Sequence, residues 1–133
     1  MSRPQIRIAL EQRLNQMSPA IDTAWENKTF KPRSDQPYQR VHLLPATPEG
    51  PEMSSFVREI GLFQITLMYP GDGGPGEAEA RAELIRLHFP KGLGLTVGGI
   101  TTTISGSMQK LRGDNDGDRW ALPVRIPYFA NIS

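Results

Sequence analysis

Two histidines, His42 and His88, are the side chains of this 133-residue chain best suited to proton transfer near neutral pH. Neither stands in an HExxH pattern or at another metal-ligand spacing. Cysteine is missing altogether, which excludes both a thiolate nucleophile and a thiolate metal site. No serine occupies a Gly-x-Ser-x-Gly elbow. Asp114, Asp116 and Asp118 alternate within Gly113-Asp114-Asn115-Asp116-Gly117-Asp118, as hard-cation ligands often do. The glycine falls too early in the run, however, and no bidentate glutamate follows at the right distance, so a helix-loop-helix calcium loop is excluded. The segment reads as a hairpin turn in which Asn115, Asp116 and Gly117 supply left-handed geometry, with weak cation binding as the alternative.

Gly71-Asp72-Gly73-Gly74-Pro75-Gly76 lies between a strand pattern and a helix pattern, where phosphate loops occur because helix amides offer donors to an anion. Glu77 at the helix start would repel phosphate. The closing lysine with serine or threonine is missing, and so are the spaced glycines of a dinucleotide fingerprint. The segment reads as a plain flexible turn, with contact to a partner as the alternative. Lys28, Lys31, Arg33 and Arg40, with Phe30 and Tyr38 interleaved, have the composition of a small nucleic-acid patch. Asp22, Glu26 and Asp35 lie close by, so a solvated loop is the simpler account, and no sequence-specific nucleic-acid binding is expected. His42 reads as a surface or edge histidine. The chain is expected not to be an enzyme and to have no catalytic residues, cofactor or metal site.

The elements that would position these residues follow from periodicity. Ile6, Leu10, Leu14 and Met17 repeat at helical spacing behind Pro4, and Ser18-Pro19 ends the pattern, predicting a helix over about 4–17. A short strand is expected over Ala20 to Asn27 and another over Tyr38 to Leu44, with exposed loops over Lys28 to Pro37 and Pro45 to Ser55. From Arg58 to Tyr69, with a kink allowed at Gly61, Phe63, Ile65, Leu67 and Tyr69 share one face of a central strand. A second helix is predicted over 77–89, with Ala78, Ala82, Ile85 and Phe89 on its buried stripe. Glu77 and Glu79 complement the dipole at its start, and Arg86 and His88 do so at its end. This helix is the natural cover for the strand. A glycine-dense return leads into Ile100 to Ile104, a bend at Gly106 leads to Met108 to Arg112 as a further short strand or a continuation of the same one, and Arg119 to Phe129 forms the last strand. Pro123 and Pro127 mark that strand as an edge, or as paired along only part of its length.

The length suits a single domain, 1–133, that buries roughly two-thirds of its unfolded surface. A formal charge of +1, from 15 Lys and Arg against 14 Asp and Glu, gives no long-range field toward nucleic acid or membrane. The N-terminal residues lack the apolar run of a secretory signal, and no segment approaches a membrane span. Twelve prolines and thirteen glycines predict a loop-rich chain.

Two pieces carry a family resemblance: Phe63-Gln64-Ile65-Thr66-Leu67-Met68-Tyr69-Pro70 leading through glycines into the Ala/Glu helix, and the closing Trp120-Ala121-Leu122-Pro123-Val124-Arg125-Ile126-Pro127-Tyr128. With the order of elements along nearly the whole length, they resemble small, prophage-encoded minor tail proteins of tailed phages, of the tail terminator (tail completion) type. The resemblance implies an α+β fold: a mixed, mostly antiparallel twisted sheet with two main helices packed on it. It also implies a structural protein of the virion tail, made in the bacterial host cytoplasm, that assembles as a ring, typically a hexamer. Such a ring caps the tail tube, terminates its polymerisation and forms the head-tail joining surface. The implied partners are further copies of the chain, the tail tube protein and a head-tail connector protein, with no membrane. A neck or head-closure protein of the same virion region, or a small non-catalytic ligand-binding module, are the alternatives. Exposure alone nominates the interface residues: Lys31, Arg33 and Asp35 in the first loop, Glu49 and Glu52 in the second, Asp72 in the glycine turn, and Arg112, Asp114, Asp116 and Arg119 near the last hairpin.

Overall fold

The computed structural model describes residues 4–46 and 57–132. In chain order the elements are α1 (Pro4–Asn15), β1 (Asp22–Ala24), β2 (Tyr38–Pro45), β3 (Val57–Pro70), a 3-10 turn (Gly71–Gly73), α2 (Gly76–His88), β4 (Gly94–Val97), β5 (Ile100–Ile104), β6 (Gln109–Lys110), β7 (Asp114–Asp116) and β8 (Arg119–Ile132). The eight strands form one sheet in the order β1-β2-β3-β8-β5-β4, with β6 and β7 also paired to β8. Every pairing is antiparallel except β1 with β2. This is the expected α+β arrangement of a mixed, mostly antiparallel sheet with two helices.

One face of the sheet is sealed. Phe63, Ile65, Leu67 and Tyr69 of β3, Leu122, Val124, Ile126 and Tyr128 of β8, and Val41 and Leu43 of β2 form a single cluster with Ile6, Leu10 and Leu14 of α1 and Ala78, Ala82, Ile85 and Phe89 near α2. Burying each large apolar side chain contributes about 1.5–3 kcal/mol, so this face is the main source of stability. The apolar stripe of α1 continues to Met17 although the helix proper stops at Asn15. The Gln16 and Met17 amides donate to the Arg13 and Leu14 carbonyls (3.2 and 3.1 Å), tightening the last turn and turning Met17 inward.

The two helices also clasp one another. The Arg13 guanidinium donates to the His88 carbonyl (3.0 and 2.9 Å), and His88 Nε2 donates to the Arg13 carbonyl (2.6 Å). Burial, with Arg13 and Arg81 nearby, holds the His88 pKa below the ordinary histidine value. His88 is thus a structural group joining two helix ends, with its charged form disfavoured.

β8 departs from expectation: it is a central strand. It pairs with β3 along all fourteen of its residues, and β5, β6 and β7 share its other side. Within a strand the N–H and C=O of one residue point the same way. The Pro123 carbonyl accepts from Leu111 N–H (3.0 Å) and the Pro127 carbonyl from Ser105 N–H (3.0 Å), so both prolines turn their missing donors toward the short strands. Ser105 lies between β5 and β6 and Leu111 between β6 and β7. The prolines therefore stand at the gaps, where the ladder has no use for the lost hydrogen.

Three smaller differences have local causes. The first strand is cut to Asp22–Ala24 because the chain turns at once, Lys28 N–H bonding the Trp25 carbonyl (3.2 Å). The glycine-dense return holds a hairpin, β4 to β5, whose two-residue turn Gly98-Gly99 has both φ positive (58° and 80°). Asp114, Asn115 and Asp116 lie in a strand, and of this run only Gly117 takes a positive φ (63°). Pairing of β3 runs unbroken through Gly61, where a Cβ would stand 2.5 Å from Tyr128 Oη and 2.7 Å from the Leu44 carbonyl oxygen.

Candidate assembly interface

The second, outer face of the sheet has three zones. At one end Tyr38, Met68 and Ala121 form a cross-strand row. Tyr38 and Met68 are buried here, on the side away from the helices, because the first loop folds over them. The Phe30 ring packs on Tyr38 at 5.1 Å between centroids. Arg119 pins that cover: its guanidinium lies 5.0 Å from the Tyr38 ring centre and donates to the Arg33 carbonyl (2.9 Å) and to the Gln36 carbonyl. A polar belt follows, with Arg125 Nε donating to Gln64 Oε1 (2.8 Å) across β8 and β3. Beyond the belt lie Ile60, Leu62, Pro127 and Phe129, only partly buried, lining a shallow groove of about 420 Å³ with Ala46, Arg58 and Ser105, and the exposed Leu44 stands beside Leu62 on β2.

At the covered end three segments meet: the first loop, the 3-10 turn after β3, and the β7–β8 hairpin. The Gly71 amide donates to the Asp118 carbonyl (2.9 Å), tying turn to hairpin. Asp35, Gly71, Asp72, Asn115, Asp118 and Arg119 surround one open depression of about 430 Å³. The fold thus gathers Asp35, Asp72 and Arg119 from separate stretches, with Asp116 held near Arg40 (3.7 Å) on the same hairpin. Arg33 is occupied within the chain, donating from Nε and Nη2 to both Asp22 oxygens (2.6 and 2.9 Å). Asp114 accepts the Asn115 amide (2.8 Å). Lys31 and Arg112 are exposed and stand outside the depression. Glu49 and Glu52 lie outside the described residues.

This end is rich in carboxylates, yet among the described residues no three His, Asp or Glu side chains are grouped so as to hold a metal ion. Arg33, Arg40 and Arg119 are each matched to partners of this chain. The arrangement suits a polar contact surface whose loops are held by the sheet more than it suits proton transfer or phosphate capture.

Sequence reasoning missed three placements. Arg119 is a clamp for the first loop, and its contacts are to backbone carbonyls, which leave no trace in side-chain patterns. Arg81 is 4% exposed, with Nη1 donating to the Pro19 carbonyl, Nη2 3.9 Å from Met17 Sδ, and Nε unpaired among the described residues. Burial lowers its pKa from the usual arginine value. Its position three residues after Ala78 and four before Ile85 was the available signal. Glu26 Oε1 accepts the Leu43 amide (3.0 Å) on the part of β2 that β1 leaves open, and Arg7 Nη1 (2.8 Å) from α1. A carboxylate there stands in for the missing neighbour strand.

A family model described as phage tail terminator protein matches residues 5–128. A solved structure with 24% sequence identity matches over 100% of this chain and 98% of its own, with a TM-score of 0.81, a likeness of fold. Among curated protein sequences none matches this chain. No helix among the described residues is long and apolar enough to cross a membrane.

Proposed function

This chain belongs to the phage tail terminator family, and on that premise we propose that it caps the tail tube, ends its polymerisation and presents the surface to which the head side joins. Membership in the family makes it a structural protein of the phage tail. In the proposed role it acts without catalysis, as a ring of copies, six in the arrangement that the resemblance implies. One side of that ring meets the tail tube protein and the other a head-tail connector protein. The observation that carries this reading is the family match across residues 5–128. The gathering of Asp35, Asp72 and the β7–β8 hairpin at one end of the sheet supports it, because loops held by a rigid sheet make a reproducible contact surface.

The test is tail assembly with and without the chain. Tubes formed in its absence should overrun their normal length by electron microscopy, and adding the purified protein should stop elongation and leave it bound at tube ends. Normal tube lengths in its absence would refute the proposal. Arg112→Glu is the cleaner probe of the polar end, since Arg119→Glu would also release the first loop. Capping should weaken with Arg112→Glu while thermal stability stays unchanged.

A further inference from the structure

Two apolar surfaces lie on opposite sides of the molecule, and each has the shape the other lacks. On the outer sheet face, Leu44, Leu62 and Pro127 form one cross-strand row, with Ile60 and Phe129 paired beside it, around a concave groove. On α2, Ala80, Leu84 and Leu87 are spaced by four and three residues on the side away from Ala78, Ala82 and Ile85. Leu84 is 41% exposed and Leu87 59%, and they form a convex ridge. Since α2 packs on the inner face, its ridge and the outer groove point in opposite directions.

Charge matches the two as well. The groove side carries Arg58, whose guanidinium lies 4.6 Å from the Phe129 ring centre with Nε on Asn131 Oδ1 (3.0 Å), and Arg125, held by Gln64. Both cations rest on neutral partners. The ridge is flanked by Glu77 and Glu83, with Glu79 in the same first turns; Glu83 pairs with Arg86. Arg86 and the nearby Lys110 already balance Glu83, so among the described residues the match between copies is Arg58 and Arg125 on the groove side with Glu77 beside the ridge.

We infer that helix α2 of one copy seats its Ala80, Leu84 and Leu87 ridge in the Ile60, Leu62 and Phe129 groove of the next. Such a contact joins two different surfaces, and so propagates head to tail until it closes on itself. It rests on the proposed self-assembly and specifies which surfaces make it.

The chain has no cysteine, so single thiols report the contact without background. Leu62→Cys and Leu87→Cys variants, mixed under a mild oxidant, should form a disulfide-linked dimer at least about tenfold faster than either variant alone. Equal rates in the mixture and in either single variant would overturn the inference. A second measurement uses Leu62→Lys and Leu87→Lys in sedimentation. Each alone should remain monomeric, while their mixture should stop at a dimer, because one intact groove and one intact ridge remain. Association of either lysine variant by itself would overturn it. Wild-type chains that associate while the mixture stays monomeric would sink this contact and leave the ring proposal standing. Wild-type chains that never associate, free or with tube protein, would sink both.

Discussion

Met68 and Leu62 lie on the same strand and the same outer face, each in a cross-strand row between β2 and β8, yet they meet different surroundings. Met68 is 1% exposed because the first loop, held by Phe30, Tyr38 and Arg119, closes over its row. Leu62, past the Gln64–Arg125 belt, has no such cover among the described residues and lines an open groove. A sheet with helices on one side must still dispose of its other side. The described residues do so with the first loop at one end, and at the other they leave an apolar surface that a second copy is proposed to fill.

The sharpest way to break that comparison is one substitution made at both sites. Met68→Lys inserts a charge beneath the loop and should destabilise the fold by about 3–5 kcal/mol, read by denaturant unfolding. Leu62→Lys can extend its ammonium into solvent and should stay within about 1 kcal/mol of the parent. Equal costs would mean that the two ends are not differently covered.

The open end is exposed outside but tight beneath. A Cβ at Gly61 would meet Tyr128 Oη and the Leu44 carbonyl, and the backbone atom cannot swing aside. Gly61→Ala is therefore expected to cost about 1–3 kcal/mol, as overpacking of a filled site does. A neutral result would show that the sheet there relaxes easily.

At the covered end, Arg119→Ala removes the guanidinium from Tyr38 and from two loop carbonyls. These contacts are partly solvated, so the stability loss should be about 1 kcal/mol. Hydrogen exchange should rise in residues 28–37 while the groove end keeps its protection. Unchanged exchange in the loop would show that Phe30 and Tyr38 hold it unaided.

How much of this was legible follows from the kind of contact involved. The inner face could be read because Phe63, Ile65, Leu67 and Tyr69 alternate strictly and the two helices repeat at their own period, signals set by the geometry of one element. Met68 could not, because a buried residue on the second face looks like a break in alternation unless the covering loop is known. The central place of β8 differs from the edge position its prolines suggest for a similar reason. Proline excludes a donor on one side only, and which side that is depends on where three other strands begin and end. The interface candidates were named from exposure, and the fold brings Asp35, Asp72 and Arg119 together through contacts that no spacing encodes.

The smallest predicted effect belongs to Glu26, which covers an edge as the loop covers a face. Burial disfavours its charge, but the Leu43 amide and Arg7 outweigh that and hold its pKa below the ordinary 4.5. An acid whose pKa is depressed by folding contributes stability in full above its unfolded value and loses it as pH falls through the folded value. The Glu26 contribution should therefore be intact above about pH 4.5 and fade below it. With about a third of the side chain in solvent (32%), screening keeps this contribution under about 1 kcal/mol. Stability measured against pH for the parent and for Glu26→Gln should show a gap at neutral pH that narrows as the solution becomes acidic. A gap that stayed constant would mean that the carboxylate acts through shape alone and that its charge has no part in holding the open edge of β2.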